Sequence, residues 1–289
     1  MIRVIALSLL TCGILPGSEP SEKGVTFAKL GERELKLDIY RPDSQTAAAH
    51  RPLIVWVHGG AWRAGKRDSV PIKALVEKGF TIASVDYRLS TEAPFPANVH
   101  DLKAAIRHLR FHARKYQIDP ESICIAGISA GGHLAALVGL TNGSPAHEGE
   151  VGHQLETSSD VQSVVSFFGA SNLLSILDQS TPHGLKVRVP ALKLLLGGSP
   201  REKPALAKLA SPIEQLDKSD PPVLLIHGDA DPQMPIEQSI ELQAACKQIG
   251  VPCEMVTIQG GQHGGEKFFD EARLQLVARF LSEDAADRK

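Results

Sequence analysis

The stretch CIAGISAGGHLAAL, Cys124 to Leu137, sets one hydroxyl between two pairs of small residues, where a short apolar run gives way to a helical pattern. A strand-to-helix turn of the form Gly-x-Ser-x-Gly holds its serine on a strained backbone, and its glycines let strand and helix approach until the hydroxyl projects outward. Gly127, Ser129 and Gly131 fit that form in the required context. The five-residue pattern alone is weak, so the rest of the chain has to supply its partners.

Outward from this turn, short strand-like runs alternate with helical patterns: LKLDIY (35–40), LIVWV (53–57), FTIASV (80–85), SICIA (122–126), VQSVVSFF (161–168), VLLIH (223–227) and CEMVTI (253–258). Such alternation predicts crossover units and a mostly parallel sheet, and runs apolar throughout predict strands covered by helices on both faces. GVTFAKL and LKLDIY, joined by GERE, predict an N-terminal antiparallel hairpin. The fold class is therefore α/β. Val99, Leu102, Ile106, Leu109, Ala113 and Tyr116 recur at spacings of three and four, predicting a helix over 97–116 that packs on the sheet. Arg110, Arg114 and Lys115 lie near its C-terminal end, where the helix dipole favours cations. A last helix is predicted over 266–281, with Phe269, Ala272, Leu276 and Phe280 facing inward.

Two segments break the rhythm. Residues 141–160, polar and Gly-rich, read as a long surface loop, and 172–220 carry short helical pieces that suit a small lid over the strand ends. With no repeat and no linker, one domain over 24–289 is expected. Residues 1–23 are set apart: Arg3, the apolar stretch from Val4 to Leu15, then PGSEP follow the order of an export signal, so a periplasmic or secreted location is expected. The alternative is a disordered N-terminus in a cytoplasmic protein. The 12 apolar residues are too few to span a bilayer.

A net charge of -2, from 31 basic and 33 acidic residues, lacks the positive field that nucleic acid or an anionic membrane requires. Of the cysteines beyond Cys12, Cys124 reads as core; Cys246 and Cys253 lie close enough in sequence to pair in an oxidising compartment. His147 and His153 lack a metal-ligand pattern, and no metal or cofactor is expected. Nothing in the pattern specifies an oligomeric state.

A serine hydroxyl becomes a good nucleophile only when a neutral histidine, itself oriented by a carboxylate, takes its proton. Both groups follow in order. HGDADPQMP, after VLLI, carries Asp229 and Asp231; GGQHGGE, after CEMVTI, sets His263 among glycines. The negative oxygen of an acyl-transfer transition state needs backbone N–H donors. HGGAW, His58 to Trp62, supplies the amides of Gly60 and Ala61, and Ala130 adds a third at the helix start. Either aspartate suits the third role on these grounds.

HGGAW, DYRL (86–89), GISAGG, HGDADPQMP and QHGG together resemble the α/β-hydrolase superfamily, and within it the carboxylesterases around hormone-sensitive lipase and the BD-FAE-type feruloyl and acetyl esterases. The resemblance implies Ser129 as nucleophile, His263 as base and Asp231, rather than Asp229, as the acid. It selects Asp231 through the family's D-x-x-V-P pattern, in which Met234 here replaces valine. Ala61 stands where the family's oxyanion turn often has a further glycine, which leaves the amide in place. Trp62 either packs beneath that turn or lines the acyl pocket as a substrate-binding residue. His58 and His227 are expected to brace their loops, Asp86 and Arg88 to stitch the sheet edge, and Arg63, Lys66 and Arg67 to form a solvated face.

The implied activity is hydrolysis of short-chain, acetyl or aryl carboxylic esters through an acyl-enzyme, the substrate being a small molecule or an ester borne on acetylated polysaccharide. An amide hydrolase is the alternative: an arylformamidase with a similar HGGxW turn, or a small peptidase, although the 289 residues hold no propeller-sized domain. A non-catalytic binding module is a remoter alternative, against which the complete Ser, Asp and His set counts.

Overall fold

A computed structural model describes residues 19–42 and 50–286. The apolar stretch 4–15 read as an export signal lies outside the described residues. Among these, the strands are β1 (Glu22–Leu30), β2 (Arg33–Tyr40), β3 (Arg51–Val57), β4 (Thr81–Val85), β5 (Ile118–Ile128), β6 (Ser163–Phe167), β7 (Val223–Gly228) and β8 (Cys253–Ile258). They form a single sheet in the order β1-β2-β4-β3-β5-β6-β7-β8. The hairpin β1–β2 is antiparallel, β2 pairs antiparallel with β4, and the remaining pairs are parallel. Every run read as a strand is one. β1 begins at Glu22, two residues before the predicted start of the domain at Gly24.

The unbroken apolar runs have the predicted cause. Because side chains alternate across a strand, Leu53, Val55, Val57, Ile123 and Ile125 enter one core, while Ile54, Trp56, Cys124 and Ala126 enter the other. Each fully buried Val, Leu or Ile contributes about 1.5–3 kcal/mol, so both faces demand apolar residues at nearly every position. The helix Ala97–Phe111 covers the first face through Val99, Leu102, Ile106 and Leu109; it breaks at His112 before a short turn of helix, Ala113–Tyr116. The last helix, Glu271–Ala286, starts later than predicted and turns Leu274, Val277 and Leu281 inward on the second face; Ala272 is exposed. Phe269, Leu276 and Phe280 pack at its flank.

Residues 141–160 form the long loop expected, with one short helical turn, Pro145–Glu148, and it is tied down from beneath. Helix 97–111 buries Lys103 and Arg107, and these reach up into the segment. Lys103 Nζ donates to Thr141 O at 2.9 Å and to Ser159 Oγ at 3.2 Å, and Arg107 donates to the Glu148 carboxylate and to Val151 O. Arg110 adds bonds to the carbonyls of Ser158 and Asp160. Buried cations held by carbonyls and a carboxylate thus anchor this loop.

The segment 172–220 contains the helices Ile176–Gln179, Pro182–Leu196 and Pro204–Leu209. Its contacts run to the side of the site. Thr181 Oγ1 and Arg188 donate to the carbonyls of Pro232 and Gln233, Leu195 O accepts from Phe95 N at 2.8 Å, and the buried Gln238 Oε1 accepts from the N–H of Ser171 and Asn172.

Candidate active site

In open α/β sheets, ligands bind beyond the carboxyl ends of parallel strands, where the connections diverge. Here β3 and β5 are neighbours from which the chain departs in opposite directions, and Val57 lies opposite Gly127. The turns that follow these residues, 58–62 and 128–130, therefore emerge side by side. Close approach explains the glycines: a Cβ on Gly131 would lie 2.1 Å from Val57 O, and one on Gly127 would lie 2.4 Å from Gly131 O. Ser129 sits between them at φ 53°, a left-handed conformation that costs a non-glycine residue roughly 1–3 kcal/mol. Its N–H donates to Phe167 O at 2.9 Å, fixing it to the end of β6.

The other two partners arrive from the ends of β7 and β8. His263 Nε2 lies 2.9 Å from Ser129 Oγ, and His263 Nδ1 lies 2.7 Å from Asp231 Oδ2. A carboxylate only accepts, so the ring proton resides on Nδ1 and the Nε2 lone pair faces the serine hydroxyl. Asp231 Oδ1 accepts from the N–H of Gln233 and Met234, both at 2.8 Å. Burial alone would raise the carboxyl pKa, but the nearby His227 ring N–H, 3.6 Å away, the hydrogen bond from His263 and the Met234 amide hold it well below the usual carboxylate range. Asp229 is placed elsewhere, accepting from Gly260 N at 2.6 Å. His227, buried, donates from Nε2 to Met234 O at 3.1 Å and so braces the loop that carries Asp231.

Gly60 and Ala61 lie on the wall of the cavity that contains Ser129. Their turn has φ 115° at Gly60 and 51° at Ala61, and closes with Arg63 N and Ala64 N donating to Gly60 O. Among the described residues, no acceptor pairs with the N–H of Gly60, Ala61 or Ala130. Ala130 is the first residue of its helix, whose free N–H groups and dipole both favour a developing anion. Behind this turn His58 is buried; its Nδ1 donates to Gly59 O at 2.8 Å, and the Tyr87 ring stacks on it at 4.4 Å with its hydroxyl bonded to His58 O. Burial pushes the His58 pKa down, which keeps this brace neutral. A Cβ on Gly60 would lie 2.1 Å from Ala64 O. Gly60→Ala is therefore expected to unseat the turn and to slow an acyl transfer at Ser129 about 10²–10³-fold in kcat, the scale of one lost oxyanion donor.

Trp62 does not line the cavity. It is buried beneath the turn and donates from Nε1 to His133 Nδ1 at 3.0 Å, while His133 Nε2 donates to Ala210 O at 2.7 Å. With both ring nitrogens committed, complete burial lowers the His133 pKa to about 4. The unfolded chain binds the proton first, so stability is full above the ordinary histidine pKa and falls as pH drops towards the folded value. Urea unfolding is expected to lose about 2 kcal/mol between pH 7 and pH 5 from this residue alone; a flat profile would contradict the assignment.

The cavity encloses about 520 Å³. No residue of 172–220 lines it, so the predicted lid does not shape it; that segment packs against the acid loop instead. A separate recess of about 600 Å³, walled by 143–160, shares no residue with it. Phe168, at φ 41°, meets the His263 ring edge-on at 4.9 Å and lines the cavity, a role the sequence reading missed. Its one signal was position, directly past the end of the strand beside the serine turn. Arg67 is not solvated but paired with Asp38 and Asp86, and Arg88 pairs with buried Asp101. His147 is held by Ser144 Oγ and Leu209 O. Cys246 and Cys253 are thiols, and contact with Cys246 together with burial pushes Cys253 up.

A family model described as BD-FAE matches residues 37–246. The esterase LipC of Mycobacterium tuberculosis is 33% identical over 86% of this chain and 62% of its own length. The chain thus spans about three fifths of the length of that curated relative. Among solved structures, a truncated carbohydrate esterase from gut microbiota superposes with a TM-score of 0.82 at 36% identity, over 91% of this chain and 95% of that one. Thermogutta terrifontis esterase 2, phosphonylated by cyclosarin, gives a TM-score of 0.72 at 29% identity over 91% and 94% of the two chains.

Proposed function

We propose, from the premise that this chain belongs to the BD-FAE family of α/β-hydrolases, that it is a serine carboxylesterase acting on acetyl, short-chain or aryl esters, including esters carried on carbohydrate. The observation that carries this reading is the unbroken hydrogen-bonded path from Asp231 through His263 to Ser129, ending beside amides without acceptors. The carbohydrate esterase and the Mycobacterium esterase among its relatives support the ester class.

In this mechanism Ser129 Oγ attacks the ester carbonyl as its proton passes to His263 Nε2. Asp231 stabilises the imidazolium, and the amides of Gly60, Ala61 and Ala130 take the charge on the carbonyl oxygen. Collapse expels the alcohol, which receives the proton from His263 and leaves the acyl group on Ser129. Water, deprotonated by His263, attacks that acyl-enzyme, and a second collapse releases the carboxylic acid and restores the serine. The test is turnover by purified protein of an acetyl ester, a feruloyl ester, N-formylkynurenine and a proline dipeptide amide. Preference for either ester over both amides is the expected result; preference for either amide would overturn the reading.

A further inference from the structure

The esterase cavity contains one formal positive charge and no carboxylate on its wall. Lys66 lines it, between Gly65 and the Ser69–Pro71 stretch, while Asp231 lies out of reach behind His263. The neighbouring cations differ in kind. Arg67 is engaged by Asp38 at 3.1 Å and Asp86 at 2.9 Å, and Arg63 does not line the cavity. The exposed Lys66 side chain forms no hydrogen bond or ion pair among the described residues; it also borders a second recess whose wall carries Asp38, Asp68 and Asp86, and exposed Asp68, two positions on, does not pair with it. The rest of the wall is apolar or neutral, including Ile128, Phe168, Phe269 and Gln233. Asp38 and Asp86 are already engaged by Arg67, so an ammonium at the mouth of a cavity whose own wall holds no carboxylate favours an anion there.

We infer that Lys66 forms a carboxylate subsite, and that the substrates hydrolysed at Ser129 are esters bearing a carboxylate. This rests on the esterase reading above. The carboxylate belongs either to the acyl side, as in a half-ester of a dicarboxylic acid, or to the alcohol side, as in an acetylated uronic acid.

The experiment compares kcat/KM within two matched pairs, using the full chain at low salt. The first is 4-nitrophenyl hydrogen glutarate against its methyl-capped counterpart; the second is a mono-acetylated methyl glucuronoside against the acetylated methyl glucoside. In one pair the acid is expected to be preferred about threefold to tenfold, the scale of a partly desolvated ion pair, and that pair identifies which side carries the charge. Raising the salt to about 0.5 M should shrink the preference. Lys66→Met should bring the ratio towards one and Lys66→Glu should invert it. A wild-type ratio at or below one in both pairs, or a preference that survives Lys66→Met, overturns the inference while leaving the esterase reading intact. Failure of the wild type to hydrolyse any of the four esters overturns that reading and this inference together.

Discussion

Ser129→Ala is expected to lower kcat for a short 4-nitrophenyl ester by about 10⁶-fold, the scale on which a serine hydrolase loses its nucleophile. Ser129 Oγ lies 2.9 Å from His263 Nε2 and Ser129 lines the cavity, so its loss removes the attacking atom without disturbing the amides opposite. The variant should fold as the parent does, since alanine occupies the same strained backbone and the anchoring bond from N–H to Phe167 O uses no side chain. Unfolding temperature and circular dichroism check this. A loss of less than about 100-fold would mean that the chemistry lies elsewhere.

Asp231→Asn is expected to cost about 10⁴-fold in kcat, and for a reason that the hydrogen bonds specify. Oδ1 accepts two backbone N–H groups, from Gln233 and Met234. An asparagine keeps those bonds only by putting its carbonyl there, which turns its NH₂ towards His263 Nδ1. Two donors cannot face each other, so the ring proton moves to Nε2 and points at Ser129, where a lone pair is needed. The imidazolium also loses its countercharge. Shape is preserved while the tautomer is wrong, so KM should change far less than kcat. A drop below about tenfold would show that another carboxylate orients His263.

The central strands could be read directly because burial on both faces leaves a nearly unbroken apolar signature in runs such as those of β3, β4 and β7, and the site because its backbone demands are local. Gly127 and Gly131 are required by contacts within the turn and with the adjacent strand. What escaped the sequence depends on contacts between distant segments. Asp229 and Asp231 are two residues apart in one loop, and the glycine loop beyond β8 separates them by giving one a histidine and the other a backbone amide. Trp62 fits a pocket or a core equally well until His133, on the serine helix, accepts its N–H. The inward stripe of the last helix was misplaced because Phe269 and Phe280, the strongest apolar signals, pack at its flank, and Leu274, Val277 and Leu281 carry the contact. The anchoring of the 141–160 loop was not legible because the cations that hold it, Lys103 and Arg107, come from a distant helix.

The most direct test of the account is covalent capture of the activated hydroxyl by a fluorophosphonate, with the adduct located by peptide mass spectrometry. One phosphonyl group on Ser129, ester hydrolysis lost in proportion to labelling, and no adduct in Ser129→Ala are expected. Labelling of a different serine, or full labelling of Ser129 with hydrolysis undiminished, would contradict it.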